Sequence, residues 1–313
     1  MSSSRLDPEP NHVHWGFFDA KLPPALTIPN GGHVTISTVS GGEEVMPPAP
    51  FVVPSHLRAI HEKVKPKLQG HICTGPIAVE GAKKGQVLQV DIEAIEPFYD
   101  WGYQVVRPLA GALPDDFAES RIYHIALDRG RNLWRLPWGQ EVPLKPFFGV
   151  MGTAPPAAWG SVSTLPPRRN GGNLDNKELV AGTTLYLPIF VDGALFSVGD
   201  GHGVQGDGEV CITAVETGLT GSFRLSVRDD MKLEWPLAET STHMITMAFD
   251  PDLDDCVVIA LRQMLDLLCA RAGIDRYQAY ALASLAADLR VTQVVNGNKG
   301  VHVMLEKRYF ERR

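Results

Sequence analysis

Short runs of apolar residues dominate the first two thirds of the chain, and they predict strands more often than helices. Residues 33–40 and 86–95 alternate between apolar and polar side chains, as a half-buried strand does. Residues 183–191 and 210–216 are almost continuously apolar and predict buried strands. Glycine and proline turns separate these runs, so we expect a body built from many short strands.

The last third of the chain shows helical periodicity instead. Residues 251–255 place a proline and acids at the start of an amphipathic run that extends to residue 272, where the following Gly273 would end a helix. Residues 276–287 predict a second helix, and residues 289–295 and 301–305 predict a pair of strands. We therefore predict a mainly β body in residues 1–217 and a smaller C-terminal α+β part in residues 218–313. One short helix is also expected within the body, over residues 54–65.

Composition narrows the class of protein. Apolar residues make up 44% of the 313 residues and charged residues 21%, as in an ordinary globular protein. A net charge of −7 argues against binding to nucleic acid or to an anionic membrane. We expect no membrane span, because no run of 18 apolar residues occurs. Four scattered cysteines without close pairing favour a cytoplasmic protein with reduced thiols.

The stretch from Gly199 to Glu209 is the strongest candidate for a functional site. Its eleven residues contain five glycines together with Asp200, His202, Gln205, Asp207 and Glu209. Glycine allows tight turns and close approach of the backbone to another group, while carboxylates and imidazoles bind metals or transfer protons. Lying between two apolar strands, the stretch is expected to form a loop held by a sheet, although a solvated hairpin loop would have the same composition.

Three other candidates have ordinary structural explanations. His12 and His14 would share one face of a strand and could bind a metal, but an exposed N-terminal loop explains the pair more simply. Cys73 could act as a nucleophile, but a lone cysteine is more often a small core residue. The aromatic segment over residues 97–145 could form the wall of a pocket, although core packing accounts for most such side chains.

A set of motifs in the chain resembles the acetamidase/formamidase family. The resemblance covers nearly the whole chain after residue 10, in the same order, and its specificity comes from the set as a whole. The motifs are Thr74-Gly75-Pro76-Ile77, Val79-Glu80-Gly81-Ala82, Pro146-Phe147-Phe148-Gly149-Val150, Gly171-Gly172-Asn173-Leu174-Asp175-Asn176, Gly199-Asp200-Gly201-His202, Gln205-Gly206-Asp207-Gly208-Glu209 and the stretch from Ser284 to Asn296.

The resemblance implies a β-sandwich-like body and hydrolysis of a small linear amide, such as formamide or acetamide, to a carboxylate and ammonia. It also implies a cytoplasmic homo-oligomer, a dimer or larger, that contains a divalent metal, zinc or possibly calcium. Carried over motif by motif, the implied metal ligands are Asp175, Asp200 and His202, and the implied catalytic residues are Glu209, Asp175 and His202. Thr74, Gly75, Asn173 and Gln205 are the expected substrate-binding residues.

The chemistry of these residues agrees with that implication. Amide hydrolysis needs a polarised carbonyl, an activated water and a proton for the leaving amine, and a metal with three N/O ligands and an open position supplies the first two. Glu209 could be a further ligand or the general base. Calcium would prefer oxygen donors, including carbonyls of the glycine-rich stretch. The chain has no G-x-S-x-G elbow and no convincing serine-lysine or Glu-Lys-Cys set for a different amidase chemistry.

Two other functions remain open at this point. A hydrolase of the same fold could cleave a cyclic amide or another C–N bond. A protein that kept the fold and the metal-binding stretch could also bind a small ligand without turnover. Oligomerisation has an alternative as well, because the broad apolar face of the helix at residues 253–272 could be buried within its own chain.

Overall fold

A computed structural model describes residues 4–311, which form two packed β-sheets with helices on their outer surfaces. The helices are α1 (Ser55–Lys63), α2 (Leu253–Ala272) and α3 (Arg276–Ala286), with 3-10 turns at Glu43–Val45, Ala157–Trp159 and Lys307–Phe310. The strands are β1 (Ser4–Leu6), β2 (Val13–Trp15), β3 (Phe17–Phe18), β4 (Leu26–Ile28), β5 (Gly32–Ser37), β6 (Ile72–Val79), β7 (Val87–Pro97), β8 (Trp101–Val106), β9 (Arg121–Asp128), β10 (Leu133–Arg135), β11 (Glu141–Pro143), β12 (Phe147–Gly152), β13 (Val162–Ser163), β14 (Gly171–Asn173), β15 (Thr183–Pro188), β16 (Phe196–His202), β17 (Glu216–Thr217), β18 (Leu219–Arg228), β19 (Leu237–Glu239), β20 (His243–Asp250), β21 (Asp288–Gln293) and β22 (Lys299–Glu306).

The first sheet contains nine of the described strands, in the order β1-β5-β18-β7-β15-β19-β20-β22-β21. The second contains eleven, and its main path runs β11-β10-β9-β8-β17-β16-β12-β14, with β6 paired to β16, β2 and β4. Strands β3 and β13 form a separate small pair. The mainly β fold predicted from the sequence is therefore confirmed.

The two sheets pack face to face through a common apolar core. Phe223 of the first sheet contacts Phe148 and Phe196 of the second, with ring centroids 5.6 and 6.1 Å apart. All three rings are fully buried, and burial of one such ring contributes roughly 1.5–3 kcal/mol. The β-sandwich-like body follows from this layer of side chains, since each sheet covers the apolar face of the other.

The helices at the C-terminal end cover the outer face of the first sheet. Helix α2 begins after Asp252, whose carboxylate accepts from the backbone N–H groups of Asp254 and Asp255, and it ends at Gly273, whose φ is 72°. Met264 and Leu268 pack with residues of β20 and β22 in a second core. Burial within the chain thus accounts for much of the apolar face of α2 that the sequence showed.

The predicted boundary near residue 217 falls between β17 and β18, and strands from both sides of it share the first sheet. Strand β18 pairs with β5 and β7 of the N-terminal part, while β19 joins β15 to β20. The division of the chain into two parts stays a prediction about domains. The hydrogen bonding of the sheet itself is continuous across that position.

Two local predictions were wrong. The first four residues of the Gly199–Glu209 stretch belong to β16, so only its remainder is a loop. The predicted strand over residues 210–216 is also absent, apart from its last residue, because Glu209 and Ile212 adopt φ values of 44° and 76° and turn the chain. The N–H of Ile212 donates to the carbonyl of Glu209 in this turn, at 2.9 Å.

Candidate active site

Neighbouring strands of the second sheet, together with the loops that follow them, bring the candidate residues together. Asp200 and His202 are two residues apart on β16, so their side chains lie on the same face of the sheet. The register places His202 opposite Glu216 of β17, and Glu216 opposite Tyr103 of β8. On the other side, β12 separates β16 from β14, and Asp175 follows β14 by two residues.

Four carboxylates and one imidazole form the centre of the site. The Nε2 atom of His202 lies 3.2 Å from Asp200 Oδ2, 3.3 Å from Glu216 Oε1 and 4.0 Å from Asp175 Oδ1. Glu209 completes the group, since its ligand atom lies within 4.8 Å of those of His202 and Glu216. All five side chains are buried. Burying this many acids is costly unless a cation or bound protons compensate their charge.

A glycine creates the space that the cluster occupies. Gly149 of β12 lies next to the acids, and a Cβ added at this position would stand 2.6 Å from Asp175 Oδ1 and 2.6 Å from Asp200 Oδ2. No side chain larger than hydrogen fits there without displacing these oxygens. The glycine of the Phe147-Phe148-Gly149-Val150 motif thus has a steric reason. It leaves room for the acids on one face of β12.

The acids divide into two electrostatic types. Burial raises the pKa of Asp175 to about 8 and that of Glu216 to about 7, in each case against the opposing effect of His202. Burial and the neighbouring Asp175 raise the pKa of Glu209 well above its usual value. For Asp200 the effect of burial is overcome by the imidazoles of His71 and His202, which lower its pKa.

His202 responds to the same charges. Burial alone would lower its pKa, but the carboxylates of Glu216 and Asp200 raise it well above the usual value. With no cation bound, the surrounding acids therefore favour the protonated imidazole, and burial favours the protonated forms of Asp175, Glu209 and Glu216, whose protons a cation would replace.

The geometry and donor set fit a divalent cation. Asp175, Asp200 and His202 each offer a ligand atom, and these atoms lie within 4.8 Å of one another. Several such atoms are buried without any hydrogen-bond partner, as expected for groups that face a cation: Asp175 Oδ1, His202 Nε2, Glu209 Oε2 and Glu216 Oε2. The ligand set predicted from the sequence is therefore brought together, and His202, Glu209 and Glu216 form an adjoining set.

A cavity of about 430 Å³ opens onto this cluster. Asp200, Glu209 and Glu216 form part of its wall, and His71 adds an imidazole whose Nε2 lies 3.6 Å from Asp200 Oδ2. Around them the lining alternates between apolar and polar groups: Trp15, Ile72, Leu165 and Ile212, with Ser40, Asn173, Thr213, Asn296 and Arg107.

The predicted substrate-binding residues occupy different positions. Asn173 lines the cavity, and its Oδ1 atom is buried without a partner. Gln205 lies behind His202 and bonds to it rather than lining the cavity wall. Thr74 and Gly75 lie on β6, where the Thr74 hydroxyl donates to the carbonyl of Ser37 at 2.9 Å, and neither lines the cavity. A role in substrate binding stays a prediction for all four.

Two of the other candidates prove to be structural. Cys73 is fully buried on β6, burial raises the pKa of its thiol far above the usual value, and it does not line the cavity. His14 lies on strand β2 rather than in an exposed loop, and its Nε2 pairs with Ser197 Oγ at 2.8 Å. His12 bonds to the carbonyl of Asp7, and among the described residues neither histidine belongs to a metal-binding group.

Sequence reasoning missed three residues of the site. Glu216 stood at the end of a predicted apolar strand, and its acidic side chain was the one signal of a different role. His71 was next to a glycine in an unassigned segment. Asn296 belonged to an apparent hairpin turn, yet its Nδ2 donates to Asp175 Oδ2 from the C-terminal part of the chain. Only the tertiary contacts reveal that last role.

The fold and the buried acidic cluster are those of a β-sandwich protein with a candidate metal centre. Comparison with known proteins makes the assignment specific, because the family model for the acetamidase/formamidase family matches residues 61–161 and 156–311. The chain belongs to the acetamidase/formamidase family.

Individual relatives agree with this assignment. An acetamidase from Bacillus halodurans, known from its crystal structure, is 31% identical, with a TM-score of 0.85 over 98% of each chain. A formamidase from Methylophilus methylotrophus is 29% identical over 45% of this chain and 47% of its own length. An acetamidase from Mycolicibacterium smegmatis is 29% identical over 45% and 49%, respectively. The chain thus spans about half the length of these two curated relatives.

Proposed function

We propose that the protein is a metal-dependent amidohydrolase that cleaves a small linear amide to a carboxylate and ammonia. The observation that carries this proposal is the convergence of buried ligand atoms of Asp175, Asp200 and His202 beside a cavity whose wall includes Asp200. Of these atoms, Asp175 Oδ1 and His202 Nε2 have no hydrogen-bond partner. Family membership and the relatives named as formamidase and acetamidase support the same reaction. The hydrolase class expected from the sequence agrees with them.

In this proposal Asp175, Asp200 and His202 hold one divalent cation, which we infer to be zinc because a nitrogen ligand stands among the oxygens. Calcium, which prefers oxygen ligands, is the second choice. A bound cation would act as a Lewis acid toward the amide carbonyl and the attacking water. Metal analysis of protein purified without added metal distinguishes the two ions.

Glu209 is the proposed proton carrier. Its Oε2 atom is buried and unpartnered, and it lies in the cavity wall beside the acids that hold the cation. Burial raises the pKa of Glu209, whereas a neighbouring cation would favour the ionised carboxylate, which can then accept a proton. Glu209 would remove a proton from the attacking water and deliver it to the amide nitrogen, so that the C–N bond breaks to release ammonia.

Two further groups can orient the substrate. The free Oδ1 atom of Asn173 can accept a hydrogen bond from the NH₂ group of a primary amide. The imidazole of His71 lies in the cavity wall beside Asp200 and can bond to the substrate or the leaving amine. Asn173 lies on β14 and His71 directly precedes β6, and this attachment to the sheet favours a fixed orientation of the reacting amide.

Ammonia release tests the proposal. Protein loaded with zinc should release ammonia from formamide or acetamide, and a chelator should abolish that release. His202→Ala should lose the metal and the activity while the sandwich stays folded. Glu209→Gln should lower kcat by roughly 10²- to 10⁴-fold. Glu96→Gln on the exposed end of β7 is the matched control, and it should leave kcat unchanged.

Metal-loaded protein that hydrolyses no amide in a broad panel would contradict the proposal. Identification of products by mass spectrometry separates hydrolysis of a linear amide from hydrolysis of a cyclic one, because a cyclic amide gives one product and no ammonia. Assembly into a homo-oligomer and a cytoplasmic location stay predictions. Within residues 4–311, no helix is both long and apolar enough to cross a membrane.

A further inference from the structure

The side-chain amide of Gln205 joins two segments that carry the candidate ligands. Its Nε2 group donates to the backbone carbonyl of Asp175 at 2.8 Å. Its Oε1 atom lies 2.8 Å from Nδ1 of His202. Gln205 therefore touches the backbone of one ligand and the ring of another, from a half-buried position behind the acidic cluster.

The first of these contacts determines the orientation of the amide. A backbone carbonyl can only accept a hydrogen bond, so the group facing Asp175 O must be the NH₂ of Gln205. Rotating the amide by 180° would place two acceptor oxygens against each other. The oxygen of the amide is consequently directed at His202, and an amide oxygen can only accept. Nδ1 of His202 must carry the hydrogen in this contact.

The position of that hydrogen decides which ring nitrogen can bind a cation. When Nδ1 carries the hydrogen, the lone pair of the neutral ring is on Nε2. Nε2 is the atom that faces Asp200, Glu216 and Asp175 and that has no hydrogen-bond partner. The hydrogen bond from Nδ1 to Gln205 and the position of Nε2 among the acids thus require the same tautomer of His202. Different residues impose the two requirements.

We propose that Gln205 is a positioning residue, which holds the hydrogen of His202 on Nδ1 and so presents Nε2 as the ligand atom. This inference rests on the proposed metal-dependent function. The same amide restrains Asp175, whose backbone adopts a left-handed φ of 46°. One side chain therefore keeps two ligands in register, and it does so without lining the cavity.

Zinc affinity and nitrogen chemical shifts test the proposal directly. Gln205→Met keeps the length of the side chain but removes both hydrogen bonds, and it should weaken zinc binding about 10- to 100-fold, as loss of other outer partners of metal-bound histidines does. Gln140→Met, on an exposed turn, is the matched control and should bind zinc like the wild type. A competing chromophoric chelator measures both affinities.

Long-range ¹H–¹⁵N spectra of zinc-loaded, ¹⁵N-histidine protein report the tautomer, with the His202 signal assigned by its absence in His202→Ala. The wild type should show the proton on Nδ1. Gln205→Glu keeps an acceptor oxygen for that proton and should retain the pattern, whereas Gln205→Met should lose it or populate both tautomers. These signals distinguish a positioning role from a general loss of stability.

Two results would overturn the proposal: zinc bound through Nδ1 in the wild type, or unchanged affinity and spectrum in Gln205→Met. Should Gln205→Met fail to fold, the wild-type and Gln205→Glu spectra still decide the tautomer. If the wild type binds no zinc, both this inference and the proposed metal site are wrong. Ammonia release then shows separately whether the protein hydrolyses amides. A correct tautomer in a protein that cleaves no amide would leave the inference intact and contradict the proposed function.

Discussion

Three acids of the site have left-handed backbone conformations that side chains with a Cβ rarely adopt. The φ values are 46° at Asp175, 56° at Asp200 and 44° at Glu209. Each such residue costs on the order of 1–2 kcal/mol, and strain of this kind concentrates at functional sites. Hydrogen bonds from Gln205 and Asn296 restrain Asp175 in its conformation. At the residue scale, Asp175 is held in place by contacts from outside its own segment.

The raised pKa values of Asp175 and Glu216 predict how pH affects the stability of metal-free protein. Both carboxyls ionise near pH 4 in the unfolded chain, but only at about 8 and about 7 when folded. Between these limits the folded state binds more protons, so its stability falls as pH rises. A bound cation replaces the protons, and the increase in Tm that zinc produces should therefore grow from pH 5 to pH 8.

Calorimetry of chelated and zinc-loaded protein across this pH range measures the effect. Asp175→Asn and Glu216→Gln remove the two titrations, so the Tm of either chelated variant should depend less on pH than that of the chelated wild type. Equal pH dependence in wild type and variants would show that other groups cause it. The lowered pKa of Asp200 affects the pH dependence of stability only below this range, because that carboxyl is already ionised in both the folded and the unfolded protein from pH 5 to pH 8.

Strand β12 shows how the arrangement of elements creates the site. It pairs on one side with β14, which leads to Asp175, and on the other with β16, which carries Asp200 and His202. A side chain at Gly149 would intrude between these two groups of ligands. The strand therefore has to be present for the fold and has to lack a side chain at this position for the site.

Gly149→Ala should accordingly impair function more than stability. The added methyl would lie 2.6 Å from two of the ligand oxygens, so the ligands must move. Displacements of about 1 Å can reduce activity by about 10²-fold, and we expect at least that loss in kcat/KM together with weaker zinc binding. Titration with zinc measures the loss of function at the metal site, and thermal denaturation followed by circular dichroism measures the effect on stability.

Gly130→Ala is the matched control for this experiment. Its added methyl would meet no atom closer than Asp128 Oδ1 at 3.5 Å, an ordinary contact distance, so zinc affinity should be unchanged. Wild-type zinc affinity in Gly149→Ala would mean that the cluster tolerates the methyl group, and it would refute the steric role given to Gly149.

The C-terminal part of the chain also completes the site, although its strands lie in the other sheet. The turn after β21 places Asn296 against Asp175, and the loop residue Gly208 bonds to Thr292 and Val294 on either side of Gln293. These contacts join segments that are more than 80 residues apart in the chain. The loop that contains Gly208 therefore packs against the end of β21, and this contact helps to fix the positions of the candidate ligands.

At the scale of the whole molecule, the cavity suggests a substrate range wider than the smallest amides. A volume of about 430 Å³ lies within the range of sites that bind drug-sized ligands, and formamide or acetamide would fill only a small part of it. The wall includes the apolar side chains of Trp15, Ile72 and Ile212, which could contact a longer acyl group.

We therefore expect linear primary amides with acyl chains of four to six carbons to be hydrolysed with a kcat/KM at least equal to that for acetamide, because each methylene that contacts the apolar wall contributes about 1–3 kcal/mol. Ammonia release across a homologous series of amides measures this. A steady decline of more than about 100-fold with chain length would show that the reactive part of the cavity is narrow and that its remaining volume does not bind substrate.

Local sequence signals were sufficient for several elements. The cap at Asp252 and the terminating Gly273 bounded α2, and the alternation after residue 86 identified β7. Asp175, Asp200 and His202 could be nominated because acids and histidine among glycines are unusual and because the motifs resemble one family. The family match and the sheet topology confirm the family membership and the mainly β fold that these signals predicted.

Only the tertiary structure revealed the remaining part of the site. Glu216, His71 and Asn296 come from segments with no shared motif, and strand pairing and loop docking bring them to the ligands. The apolar run at residues 210–216 failed as a strand because the left-handed turns at Glu209 and Ile212 aim the chain at the cavity. The sequence by itself nominated Asp175, Asp200, His202 and Glu209 as groups that could bind a cation or move a proton. Long-range pairing decided that they meet and added Glu216, since neither register nor backbone strain is readable from local composition.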